Sequence, residues 1–213
     1  MAYRTSALRI DRDNALRLRI LRCAQARVTE AGFGALTMQA LAEDVGIATG
    51  SLYRHFQNKG ELAAEVFARA SQREVDAMAL ALKTQAPAPR RLAAGLAQFA
   101  ARAWHSRRLA YALIAEPVDP EVDKQRLIFR QAYAELLVEV LDEGVSQGDF
   151  RPQHTQLSAA CLVGAIAESL VGPLSPSACA ARETGQPALA LGSITEDLIA
   201  FCLSAVGAKE LSA

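Results

Sequence analysis

Nowhere along this chain do apolar and polar residues alternate convincingly with the two-residue period of a strand; apolar residues recur at helical spacing instead. That pattern restricts the fold to packed helices. Composition points the same way. Alanine is heavily used while Val, Ile and Thr are sparse, and alanine loses no side-chain entropy in a helix. The chain has 213 residues, 51% of them hydrophobic. That is ample for a sizeable core, in one large domain or a small domain fused to a larger one.

The formal net charge is zero, so overall charge argues neither for nor against nucleic acid. Its distribution says more. Residues 1–60 hold nine Lys/Arg against five Asp/Glu, while the remainder holds fourteen against eighteen. A basic N-terminal part on a neutral chain suits a terminal DNA-binding head. The four cysteines, Cys23, Cys161, Cys179 and Cys202, are never closer than 18 residues, so no zinc-like spacing exists and no metal is expected. They read as buried, reduced thiols of a cytoplasmic protein, with a redox sensor as the alternative. The first ten residues lack the apolar stretch of a signal peptide. Every apolar run falls well short of about 18 residues, so no membrane span is expected.

Punctuation along the chain sets the expected elements. Arg4, Arg9 and Arg12 lie in a polar arm, either a disordered tail or an arm touching DNA. Asn14 can cap a helix over about 15–31, with Ile20, Leu21, Ala24 and Val28 inward and Gly32 ending it. Thr37 can N-cap a second helix whose apolar face is Met38, Leu41, Ala42 and Val45, broken by Gly46. A short helix follows over about 49–56, and Asn58 caps a long one over 59–85. Further helices are expected over about 90–105, 107–115, 119–145, 154–171 and 193–206, with 172–187 a long loop.

The informative window is 33–62, FGALTMQALAEDVGIATGSLYRHFQNKGEL. Two short helices flank a tight glycine turn, the layout of a helix-turn-helix. The second begins with small residues, Ala48, Thr49, Gly50 and Ser51, so its N-terminus can approach a DNA groove closely, and its free amides favour phosphate. This segment resembles the DNA-binding domain of the TetR family. The likeness rests on RILRCA at 19–24, GF at 32–33, Thr37, LAEDVGIATGSLYRHF at 41–56 and NKGEL at 58–62. It covers about 45 residues, and the rest resembles the family only in being helical and of fitting length. Where the family has an apolar-aromatic pair, this chain has Arg27 and Val28; Val28 can still pack, and Arg27 is expected solvated or near the DNA face.

The resemblance implies an all-α chain: residues 1–58 form an arm and a three-helix DNA-binding domain, and 59–213 form a helical ligand-binding and dimerisation domain. It implies phosphate contacts from Thr37, Tyr53, His55 and Lys59, and a backbone or base contact from Gln39. It places Thr49, Gly50 and Ser51 against the major groove, and Arg54 on a base or phosphate. Phosphate contacts fix register; base-edge contacts carry sequence information. It also implies a homodimer on a palindromic operator, through the last two long helices. Ala160, Val163, Gly164, Ala167, Ile194, Leu198 and Phe201 are the candidates there. The middle helices should enclose a pocket for an unidentified small hydrophobic ligand. Phe99, Trp104, Tyr111, Phe129 and Tyr133 are its candidate apolar liners, and His105, Glu116 and Glu168 its candidate polar contacts.

These features favour a transcription regulator, most naturally a repressor released by its ligand, with no cofactor. An activator remains the alternative, because sign depends on where the operator lies. A helical adaptor without DNA binding is the other, against which Tyr53, His55 and Lys59 argue. An enzyme is disfavoured: the only histidines are His55, His105 and His154, and no nucleophile-base pair or carboxylate cluster stands out.

Overall fold

The computed structural model describes residues 2–185 and 191–209. All regular structure among these residues is helical. Helix α1 spans Ala2–Ala31, so helix replaces the expected polar arm. The physical reason is the lack of any glycine or proline in that stretch, which is rich in Ala, Arg and Leu. From Arg9 onward its first buried residue is Ile20.

A 3-10 turn at Phe33–Ala35 leads to α2 (Met38–Val45). Thr37 caps α2 by accepting the Ala40 amide at 3.2 Å. Gly46, with φ 71°, turns the chain into α3 (Thr49–Leu52). Helix α3 is shorter than expected, and residues 53–55 are turns. Asn58 accepts the Glu61 amide at 2.8 Å and caps α4 (Lys59–Leu82). Then come α5 (Ala88–His105), α6 (Arg107–Ile114), α7 (Pro120–Gln147) and α8 (Thr155–Leu174). Much of the expected loop is helix as well, as α8 runs on to Leu174 and α9 spans Pro176–Glu183. Pro176 stands in the first turn of α9, where its missing N–H costs nothing, and Ser175 accepts the Ala178 amide at 3.2 Å. The end of that expected loop falls at 186–190, outside the described residues. Helix α10 is Leu191–Ala205.

Two large apolar clusters hold the fold. The first joins Ile20, Ala24 and Val28 of α1 to Leu41, Val45, Leu52 and Phe56, then continues into Leu62, Val66 and Phe67 of α4 and Phe129 of α7. Asn58, where the sequence suggests a boundary, is the cap of α4, and the first turns of α4 share the apolar cluster of α1, α2 and α3. The second cluster packs the end of α4 with α5, α7, α8 and α10 through Met78, Leu96, Leu137, Ile166, Leu198 and Cys202. Burying each such side chain is worth about 1.5–3 kcal/mol.

Helix α8 is long and apolar enough, by length and composition alone, to cross a membrane. Its Ala159, Leu162, Ile166, Leu170 and Leu174 are buried within the subunit, and its other residues are half-buried or exposed. Arg27 is half-exposed, as part of a surface ion pair. It donates Nε to Asp44 at 2.5 Å and an NH2 hydrogen at 2.9 Å, tying α1 to α2.

Candidate DNA-reading surface and ligand cavity

The reading surface is built around the turn at Gly46. Helix α2 buries Met38, Leu41, Ala42 and Val45 and so fixes the direction of α3. Leu52 and Phe56 anchor α3 from below, both essentially buried. What remains outward is polar and small. Gly50 is exposed with open space where a side chain would project, and Thr49 and Ser51 flank it half-buried. Arg54 is exposed and donates to the Ser51 hydroxyl at 3.1 Å, a contact it can exchange for a ligand. Tyr53 is 52% exposed. Gln39 is exposed within 3.5 Å of Glu43, Thr37 is exposed, and Lys59 is half-buried at the start of α4. These eight residues lie on or beside α2 and α3 and at the start of α4.

His55 stands apart. Its side chain is only 4% exposed, and Nε2 lies 3.8 Å from Asp13. The ring is packed between α1 and the end of α3. In this conformation it positions the surface and does not donate outward, because the chain leaves the helix after Leu52 and turns the side chain inward.

A second joint connects this head to the rest of the chain. The Glu116 carboxylate accepts the backbone amides of Phe33 and Gly34, each at 2.9 Å. Gly32 makes this approach possible: a Cβ there would lie 2.5 Å from the carboxylate, and φ is 78°. Arg108 adds a bond to the Glu30 carbonyl at 2.6 Å. Glu116 therefore caps the head and does not line a pocket, as was expected from sequence. An 83-residue separation carries no local signal of such a bond.

The body encloses a cavity of about 90 Å³ between α4, α5, α6, α7 and α8. Of the eight expected liners, Phe99, Phe129 and Tyr133 form its wall. Phe99 meets Tyr133 edge-on at 5.6 Å, and Phe129 lies 6.1 Å from Phe67. Burial raises the Tyr133 phenol well above its ordinary value. The other expected liners lie off the cavity. Trp104 is gripped between the Arg182 and Arg107 guanidiniums, at 4.3 and 5.4 Å from its ring centre. His105 and Glu168 are exposed, and Tyr111 packs in a small cluster with Leu170 and Leu174. Helical periodicity identified apolar faces without saying which face meets a void.

The cavity's charged residues were missed from sequence. Glu74 and Arg102 pair across its edge at 2.6 and 2.8 Å. Arg126 donates to the carbonyls of Leu113 and Glu116, at 3.0 and 2.8 Å, and to Asp123 at 2.7 Å. Its pKa is lowered chiefly by burial. Arg130 also lines the cavity and is exposed.

The expected dimer residues divide in the same way. Ala160, Gly164 and Phe201 are exposed, Phe201 at 61%. Val163 and Ala167 face the cavity, Leu198 is buried in the second cluster, and Ile194 packs beside Trp104. Leu157 and Cys161, not singled out from sequence, extend the exposed stripe of α8. The cysteines also differ from expectation, since Cys161 is exposed and Cys23 and Cys179 are half-buried. Only Cys202 is fully buried, and burial pushes its thiol up to about 11.

An exposed, small-residue helix that follows a glycine turn is the layout of a helix-turn-helix. Residues 20–66 match the sequence model of the family described as bacterial regulatory proteins, tetR family. The match runs from the middle of α1 into the first turns of α4 and leaves the rest of the chain outside it. No curated protein matches. Among solved structures it is similar to the regulator FadR from Bacillus subtilis, in complex with stearoyl-CoA. That protein is 18% identical, with TM-score 0.71 over 89% of this chain and 98% of the other. FadR from Bacillus halodurans, a fatty acid degradation regulator, is 19% identical with TM-score 0.70, over 87% and 96%. A tetR-family regulatory protein from Rhodococcus RHA1 is 19% identical with TM-score 0.65, over 92% and 98%. At these identities the likeness speaks to the fold.

Proposed function

We propose that the protein is a cytoplasmic, sequence-specific repressor, released from a palindromic operator when a small molecule with an apolar body enters the cavity. The observation that carries this reading is the open N-terminus of α3, where bare Gly50 sits between Thr49 and Ser51. Backbone can approach base edges there, while Thr37, Tyr53, Arg54 and Lys59 surround it with donors for phosphate. Gln39 reaches the backbone or a base edge, and His55 supports the surface from behind.

Residues 1–58 serve as the head and 59–213 as the body. One head touches too few bases for tight specific binding, so two heads act as a dimer. The exposed face of α8 and α10 (Leu157, Ala160, Cys161, Gly164 and Phe201) is the surface we assign to that contact. Small residues at Ala160 and Gly164 let two helices approach closely. The ligand acts by favouring one spacing of the two heads, which requires that it bind one state more tightly than the other.

Footprinting of the DNA upstream of the protein's own gene tests the reading. A two-fold symmetric protected stretch is expected, weakened by Tyr53→Ala combined with Lys59→Ala. No specific protection, or equal protection by the double variant, would sink it. The same operator distinguishes repression from activation by its position relative to the promoter.

A further inference from the structure

We infer that the cavity takes an anionic amphiphile, an apolar chain ending in a carboxylate or phosphate, whose charged end is held at Arg130 and Arg126. This names the ligand class of the switch above and rests on that reading. Four residues apart on α7, the two arginines share one face of the helix, and both line the cavity. Like charges so placed repel each other, and Arg130 is indeed among the causes that lower the Arg126 pKa. An anion between them would turn that repulsion into attraction.

Arg126 already meets Asp123 and the carbonyls of Leu113 and Glu116, so the charge left to be met is that of Arg130. Glu74 is engaged with Arg102. Asp123 meets only Arg126, through a side chain that is 58% exposed. Among the described residues, Arg130 has no carboxylate within salt-bridge distance. The cavity wall thus carries three arginines against one glutamate, with Phe67, Phe99, Phe129 and Leu137 supplying the apolar part. Such a wall selects against cations, and an uncharged chain would leave Arg130 without a counter-charge. The location suits a switch. Arg126 also holds the Glu116 carbonyl, and the Glu116 carboxylate holds the head.

The test is calorimetric titration of the full-length protein, without DNA, with octanoate, octanol, octyltrimethylammonium and octanoyl-CoA. Octanoate or octanoyl-CoA should bind about tenfold tighter than octanol, with the cation weakest. Whichever anion binds more tightly identifies the source of the charge, carboxylate or phosphate. Arg130→Gln, whose side chain is exposed and whose loss should spare the fold, should weaken the anion about tenfold and leave octanol unchanged. Octanol or the cation binding as tightly as the anions overturns the inference. So does the absence of binding by any probe, or equal weakening of anion and alcohol by Arg130→Gln. Operator release is read separately. Anion binding without release sinks the switch but leaves the ligand class standing.

Discussion

The head and the body use polar groups in opposite ways. In the head, Thr37, Gly50, Tyr53 and Arg54 face solvent over a core of Leu41, Leu52 and Phe56. In the body, Glu74, Arg102 and Arg126 turn toward an enclosed cavity, and the exposed surface of α8 is largely apolar. On the function proposed above, one region meets a polyanion from outside and the other surrounds a small molecule. The difference teaches where communication must run. Two connections between the regions stand out: α4, which passes directly from head to body, and the contacts of α1 and its following turn with the segment 107–116. Glu116 is the polar centre of the second connection.

The sharpest way to break this comparison is Glu116→Gln. It removes the charge from two hydrogen bonds to Phe33 and Gly34. Bonds to charged groups are worth about 1.5–3 kcal/mol each, reduced here by partial exposure. Hydrogen exchange should quicken at the amides of 33–36 while those of 92–100 in α5 stay protected. Equal loosening of both would mean that head and body open as one unit.

A smaller effect compares one ion pair from each region. Arg27 holds the Asp44 carboxyl below its ordinary value, and Arg91 does the same to Glu143, in both cases chiefly by a side-chain hydrogen bond. Each carboxyl therefore binds its proton more readily in the unfolded chain. Its stabilisation is complete above the unfolded value, and it fades as the pH falls through the lower folded value, below about 4. Asp44→Asn and Glu143→Gln should each lower the melting temperature slightly near neutrality and flatten its decline in acid. Salt should shrink both effects, since both carboxylates reach solvent, and more so for Asp44, whose arginine partner is the more exposed of the two. A decline that is unchanged in both variants would assign acid sensitivity to other groups.

How much could be read in advance follows from how local each signal is. Thr37, Gly46 and Asn58 act on neighbours within four residues, so the helix-turn-helix and the start of α4 were legible. The early turns of α1 were missed because apolar spacing was required to infer a helix, and this one begins without it. The end of α8 and the whole of α9 were missed because Pro173 and Pro176 read as breakers, whereas they occupy a last turn and a first turn. The family resemblance supplied the reading residues, yet it could not show that His55 turns inward. In the body, periodicity found Phe99, Phe129 and Tyr133, but not the charged groups of the cavity. Glu116 owes its role to the packing of α6 against α1, and Arg126 to carbonyls at and just after the end of α6, 10 and 13 residues before it.

The central claim is that the open end of α3 reads DNA sequence while Tyr53, Arg54 and Lys59 grip phosphate. The most direct test is the dissociation constant across a range of salt, for wild type and Lys59→Ala, on the footprinted operator and on a scrambled duplex. The account predicts that wild type prefers the operator by about a thousandfold or more at physiological salt. Lys59→Ala should weaken both duplexes alike and reduce the salt slope by about one per lost contact. Equal affinity of wild type for operator and scrambled DNA would contradict it.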